Sequence, residues 1–217
     1  GQFITTRVQD ALLKASALCV LFIGLSGALE KMLVFDNGKL TSTGSTMIIV
    51  SFAAGALMGE ALNLERHMER IGEWLRDRFA NGAEGGFVDA FVTTSLTVCI
   101  GAMAIVGSIQ DGILGDWSTL ALKGALDCII VCAMTASMGR GAIFSALPVG
   151  VFQGTITLLA RFIQPIMTAE ALDNLSLVGS MLIFCVGVNL IWGRTFKTAN
   201  LLPAVVVAVV WALVCGA

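Results

Sequence analysis

The chain has 217 residues, of which 57% are hydrophobic and only 13% are charged, and its mean hydropathy is +0.89. The charged fraction is about half that of a soluble protein, which indicates a membrane protein. A formal net charge of −2 excludes a nucleic-acid binder, which needs a clustered basic surface. The six cysteines all lie in apolar segments, so we expect no disulfide framework, metal site or cofactor.

Seven apolar segments are long enough to span a bilayer, and they predict an all-α polytopic membrane protein with a single transmembrane domain over residues 1–217. A window of about 19 residues places the spans, in chain order, at Ala11–Leu29, Thr46–Leu62, Phe87–Ile109, Trp117–Met138, Gly141–Ile163, Leu175–Trp192 and Ala199–Val214. Several spans carry single polar residues, which favours a compact bundle.

A helix that does not span is predicted at Asn63–Phe79, between the second and third spans. Leu64, Met68, Ile71 and Leu75 recur there at helical spacing, and charged residues occupy the opposite face. The pattern predicts an amphipathic helix that lies along the membrane surface or packs against the bundle.

The distribution of basic residues predicts the orientation of the chain. Nine lie on one side of the predicted spans, and by the positive-inside rule that side is cytoplasmic. These nine are Arg7, Lys14, Arg66, Arg70, Arg76, Arg78, Arg140, Arg194 and Lys197, against Lys31, Lys39, Lys123 and Arg161 on the other side. The amphipathic helix is then cytoplasmic and the C-terminus is outside.

Two parts of the chain indicate an internal repeat. Residues 5–28 align with 168–191 at a shift of 163, pairing Thr5 with Thr168, Asp10 with Asp173, Leu12 with Leu175 and Gly24 with Gly187. The hydropathy of the two parts agrees better than their identities do. Because the first span runs outward and the sixth inward, the repeats would be inverted, as in many secondary transporters with a midplane substrate site.

The most informative side chain is Asp127, ten residues into the fourth span. At 1.5 Å per residue it lies about 15 Å along the helix, near the middle of a hydrocarbon core about 30 Å thick. A charge at that depth costs at least about 2.5–3.5 kcal/mol, so it needs a partner, a proton or a hydrated cavity. Lys123, one turn earlier, is a candidate partner, and a dry pair of the two would be structural.

Pro148 and Gln153 place polar groups inside the fifth span. Gln153 reaches about the depth of Asp127 from the opposite side. Pro148 removes an intrahelical hydrogen bond, and the freed carbonyl must be paired again or must line a cavity. A functional role and a kinked packing helix explain this segment equally well.

Four further residues complete the predicted substrate or ion pathway. Ser108, Gln110 and Asp111 gather at the end of the third span, where the negative end of a helix favours cations. An ordinary polar cap before a turn explains them slightly better. Asn189 lies near the end of the sixth span, close enough to the boundary to reach water.

The sequence contains no Ser–His–Asp grouping, metal-ligand cluster, P-loop or dinucleotide fingerprint, so we do not expect an enzyme. The leading prediction is a small-solute or ion transporter or channel that works in the bilayer as a homo-oligomer. The alternative is a non-transporting scaffold or regulatory subunit that docks a partner through residues 63–79.

Four stretches of the chain carry a family resemblance: GEALNLERHMERIGEWL, FVTTSLTVCIGAMAIVGSIQDGILGDWSTLALKGALD, FSALPVGVFQG and ANLLPA. They resemble the YqgA/YdfK-type family of bacterial inner-membrane proteins, over nearly the whole chain and most specifically in the second stretch. The resemblance implies a bacterial inner-membrane location and one more apolar, glycine-rich helix upstream of Gly1, making eight spans and a longer repeat. The family has no function beyond a suggested role in transport, so the resemblance implies no particular substrate.

Overall fold

The computed structural model describes residues 6–36, 38–79, 86–99, 102–193 and 195–215, most of which are helical. The described residues form ten α-helices: α1 Thr6–Met32, α2 Ser45–Leu62, α3 Leu64–Phe79, α4 Phe87–Cys99, α5 Ala102–Leu114, α6 Ser118–Met138, α7 Ala146–Leu158, α8 Ala160–Ile163, α9 Ala169–Trp192 and α10 Pro203–Cys215. Short 3-10 helices over Arg140–Ser145 and Thr198–Leu201 precede α7 and α10.

A short antiparallel hairpin, β1 Leu33–Asp36 and β2 Lys39–Ser42, lies between α1 and α2 and departs from the all-α prediction. Its sequence signal is the Asn37–Gly38 pair, a strong tight-turn dipeptide between two short runs. Gly38 has φ 78°, which glycine adopts without the strain that a side chain would add.

Five helical stretches of the described residues are long and apolar enough to cross a membrane: Ser45–Leu62, Ser118–Met138, Arg140–Leu158, Ala169–Trp192 and Thr198–Cys215. Each overlaps one of the predicted spans. The first predicted span lies within α1, a helix of 27 residues. The total of seven spans stays a prediction.

The third predicted span, Phe87–Ile109, is occupied by α4, which is described up to Cys99, and by α5, which is described from Ala102. Residues 100 and 101 lie outside the described part of the chain, so one continuous span over this segment stays a prediction.

The fifth predicted span, Gly141–Ile163, overlaps a span-length helical stretch but is not one continuous α-helix. It begins as a 3-10 helix, continues as α7 and ends in the separate four-residue α8. Pro148 is the third residue of α7 rather than a kink in its middle. The first turn tolerates proline because its N–H groups lack partners within the helix.

The helices α1 and α9 pack antiparallel through glycines. A Cβ added at Gly187 would lie 2.7 Å from Leu21 Cα, and one at Gly24 would lie 2.7 Å from Phe184 Cα. Further along the same pair of helices, Lys31 Nζ lies 2.8 Å from an oxygen of Asp173. The hydrogen bond with Asp173 raises the pKa of Lys31 above its ordinary value.

The helix α2 approaches the start of α10 in the same way. A Cβ added at Gly55 would lie 2.5 Å from Ala204 Cα, and one added at Gly59 would lie 2.8 Å from Asn200 Cα. This GxxxG pair is therefore a packing surface, as small residues at this spacing commonly are in membranes. A second pair with the same spacing, Gly150 and Gly154, has no atom within 4 Å of an added Cβ.

The predicted helix at Asn63–Phe79 is present as α3 and packs on α4. Leu75 is 1% exposed and belongs to a core cluster with Phe87 and Phe91 of α4. Ile71 and Trp74 remain 49% and 62% exposed.

Replacing Gly59 with alanine is expected to destabilise the fold by at least about 1–3 kcal/mol, because the new methyl group overlaps the Asn200 backbone. The matched control is Gly154→Ala, where open space and better helix propensity predict a change of about 1 kcal/mol or less. Thermal unfolding in detergent compares the two. Equal melting temperatures would contradict the close packing of α2 on α10.

Candidate functional site

The last described turn of α4, which reaches Cys99, contacts α6 through a hydrogen bond to a backbone carbonyl. In hydrocarbon no water pairs with backbone carbonyls, so a donor for one of them must come from the protein or from a lined cavity.

Lys123 of α6 supplies such a donor. Its Nζ donates a hydrogen bond to the Val98 carbonyl oxygen at 2.9 Å and a second one to Asp127. Lys123 is only 6% exposed, so both bonds form away from solvent. The carbonyl dipole favours the ammonium, and the Asp127 carboxylate balances its charge.

Asp127 occupies the middle of α6, as the tenth of its 21 residues. Asp127 forms an ion pair with Lys123, the partner that the sequence predicted. The Asp127 side chain is 19% exposed. The carboxylate and the ammonium thus form a partly buried i,i+4 pair, and the ammonium also binds the neighbouring helix α4.

Gln153, the second predicted midplane residue, lies on α7 and is partly buried. Within the described part of the chain its side chain makes no hydrogen bond to Asp127 or Lys123, and neither it nor Asp127 lines the cavities described below. A site shared by Gln153 and Asp127 stays a prediction.

The polar residues of α5 lie at the corner between α5 and α6. Gln110 accepts a hydrogen bond from the Thr119 hydroxyl at 2.7 Å. The Asp111 carbonyl accepts from Gly115 N at 2.9 Å and closes the turn. Ser108 is fully buried, and its hydroxyl has no hydrogen-bond partner among the described residues.

Asn189 organises the loop after α9. Its side-chain oxygen accepts hydrogen bonds from Thr195 N at 3.0 Å and Phe196 N at 2.8 Å. Its amide nitrogen donates to the Phe196 carbonyl at 2.7 Å. These bonds give Asn189 a structural role at the position that was predicted to belong to the pathway.

The sequence analysis missed a network that joins α3 to the start of α10. Glu65 N donates to the Asn200 side-chain oxygen at 2.7 Å, and a carboxylate oxygen of Glu65 accepts from Ala199 N at 3.0 Å. Lys197 forms an ion pair with Glu60 at 3.0 Å. The partners are 134 to 137 residues apart, so no local pattern reveals them.

Two cavities lie along α4. The polar cavity, of about 320 Å³, is lined by residues that include Glu65, Asp89, Thr93, Asn189 and Thr198. The apolar cavity, of about 350 Å³, is lined by residues that include Ser95, Cys99, Ile105, Pro148 and Phe152. Among the described residues, Leu96 is the one that lines both cavities.

Replacing Lys123 with methionine is expected to destabilise the protein by about 3–5 kcal/mol, because it leaves Asp127 buried without its cation. The double variant Lys123→Met/Asp127→Leu should be less destabilised, retaining mainly the cost of an unpaired Val98 carbonyl, about 1–3 kcal/mol. The measurement is thermal unfolding in detergent.

The control for these Lys123 and Asp127 variants is Lys31→Met. It removes a more exposed ion pair, which contributes about 1 kcal/mol or less to the free energy of unfolding. A double variant that is as unstable as the sum of the two single variants would contradict the coupling of Lys123 and Asp127.

Comparison with known proteins identifies the family. The uncharacterized membrane protein YdfK of Bacillus subtilis is 27% identical over 205 residues, covering 94% of this chain and 83% of YdfK. The uncharacterized protein YqgA of Escherichia coli is 25% identical over 212 residues, covering 96% of this chain and 86% of YqgA. No solved structure matches the chain. A family model described as "Protein of unknown function (DUF554)" matches residues 1–213, so the chain belongs to that family.

Proposed function

We propose that the protein is a small-solute or ion transporter or channel of the bacterial inner membrane, with a polar site at the Lys123–Asp127 pair. The observation that carries this proposal is the buried Lys123, which binds both Asp127 and the Val98 carbonyl of the neighbouring helix α4. The proposal includes no catalytic step.

An ammonium held between a carboxylate and a backbone carbonyl has the parts of an ion-exchange site. In transporters, backbone carbonyls near the midplane commonly coordinate the coupling cation. Here the Lys123 ammonium is the cation bound by such a carbonyl. A proton or cation arriving at Asp127 would compete with Lys123 and weaken its hold on α4.

The crossing of α1 and α9 supports an inverted repeat. Gly24 meets Phe184, and Gly187 meets Leu21. The shift of 163 that relates Gly24 to Gly187 also relates Leu21 to Phe184, so each contact is the counterpart of the other. Such reciprocal contacts are what a two-fold axis between the two helices produces. Asp10, which pairs with Asp173 in this register, has a side chain outside the described part.

The membrane location rests on the five apolar helices and on the name of the relative YdfK as a membrane protein. The excess of basic residues on the α3 side supports a cytoplasmic α3. A homo-oligomer in the bilayer is consistent with the large exposed apolar side chains on α2 and α7, such as Leu57 and Val151, at 75% and 71% exposure.

Asp127→Asn is expected to reduce flux in proteoliposomes to the level of protein-free liposomes, because the neutral amide cannot exchange a proton or hold a cation. The probes are proton flux reported by a trapped pH-sensitive dye, uptake of rubidium ions, and osmotic swelling in small neutral solutes. Folding is checked by the melting temperature.

The matched control is Asp116→Asn, in an exposed loop where Asp116 accepts a hydrogen bond from Ser118 N at 3.0 Å. Its flux should equal that of the unchanged protein. Unchanged flux in a folded Asp127→Asn variant would remove Asp127 from the mechanism. If the unchanged protein conducts none of these probes, that result counts against the transport proposal.

A second candidate function is a scaffold or regulatory subunit that docks a partner through α3. The exposed Ile71 and Trp74 favour it, because large apolar side chains on a charged helix often mark a contact surface. Both residues, however, line an apolar groove with Leu147 and Val151 of α7, which fits contact with lipid as well.

The variant Leu64→Ser/Met68→Ser/Ile71→Ser should lose a co-purifying partner if α3 is a docking helix, because it removes the apolar residues that recur at helical spacing in its sequence. The measurement is capture from membranes by the tagged protein, identified by mass spectrometry. Glu73→Gln, at an exposed charged position of α3, is the control. A partner retained by the triple variant would contradict docking through α3.

A further inference from the structure

The two cavities beside α4 meet at one side chain. Val92 and Thr93 line the polar cavity, Ser95 and Cys99 line the apolar cavity, and Leu96 lines both. Leu96 is 3% exposed and packs in the same core cluster as Val92. A single buried leucine therefore belongs to the walls of two spaces that are each large enough for several water molecules.

The two spaces differ in chemistry. The polar cavity has the acidic residues Glu65 and Asp89 in its wall, and none of its described lining residues is a lysine or arginine. Among the described residues that line the apolar cavity, only Ser95 and Cys99 have polar side-chain atoms. A hydrated solute in the first space meets an apolar constriction before the second, and such constrictions stop water and ions by dewetting.

We propose that Leu96 is the gate of the pathway, the residue whose displacement connects the polar cavity to the apolar cavity. The inference rests on the proposed transport function and adds the constriction that controls it. Leu96 acts through its position rather than by binding the solute.

The hydrogen bond from Lys123 links this gate to the ion pair. Leu96 lies two residues before Val98, whose carbonyl is bound by Lys123. Competition for Asp127 at the ion pair would loosen Lys123 from this turn of α4, so occupation of the polar site and opening at Leu96 would be coupled.

Cys99 is a natural reporter, because it lines the apolar cavity beyond Leu96. The experiment uses the full chain with Cys19, Cys128, Cys132, Cys185 and Cys215 changed to alanine, in membrane vesicles of both orientations. A charged methanethiosulfonate reagent that does not cross membranes reports access through water. N-ethylmaleimide, which crosses membranes, confirms that Cys99 can react.

In this background Leu96→Ala is expected to raise the rate of Cys99 modification by the charged reagent about tenfold, equivalent to about 1.4 kcal/mol less opening free energy. The increase should appear from one side of the membrane only, the side of the polar cavity. The matched control is Val92→Ala, one turn earlier on α4, which enlarges the polar cavity alone and should leave the rate unchanged.

Rapid modification of Cys99 with Leu96 intact, or an equal rate in the Leu96→Ala and Val92→Ala variants, would overturn the gate. If Leu96→Ala does not fold, Leu96→Val gives the same comparison with a smaller loss of volume, and Leu96→Met should restore slow modification. The labelling needs no transported solute. If the labelling result is as expected but the protein shows no flux, the transport proposal fails while the gate at Leu96 stands.

Discussion

The hydrogen bond from Lys123 to the Val98 carbonyl is the constraint on which the centre of this protein depends. A backbone carbonyl without a partner in hydrocarbon costs several kcal/mol. Burying a lysine alone would be comparably unfavourable. In this hydrogen bond each group offsets the cost of the other, and Asp127 neutralises the charge that remains. The contact between α4 and α6 and the ion pair are therefore one feature, because both depend on Lys123.

The glycines determine how closely the helices around this centre approach. At Gly24 and Gly187 the backbones of α1 and α9 come so near that no side chain fits between them, and Gly55 and Gly59 do the same for α2 and α10. Without a hydrophobic driving force between helices in lipid, this close contact is a main source of association. The spacing alone does not identify such a surface, since Gly150 and Gly154 share it and face open space.

Hydropathy and local spacing predicted the structural features that depend on residues close together in the sequence. The helices overlapping the spans, the helix α3 and the i,i+4 pairing of Lys123 with Asp127 all follow from periodicity. The bonds of Glu65 to Ala199 and Asn200 were not predicted, since they join residues more than a hundred positions apart.

The walls of the polar cavity are held more firmly than the side chain at its inner end. Glu65 is bonded to the residues before α10, and Asn189 makes three hydrogen bonds to the loop after α9. Leu96 lies instead in an apolar cluster, where packing is strong but not directional. Moving Leu96 breaks no hydrogen bond of its side chain, whereas moving the walls breaks several. The proposed opening at Leu96 therefore requires a smaller rearrangement than movement of the walls, and the Lys123 bond to Val98 ties this turn of α4 to α6.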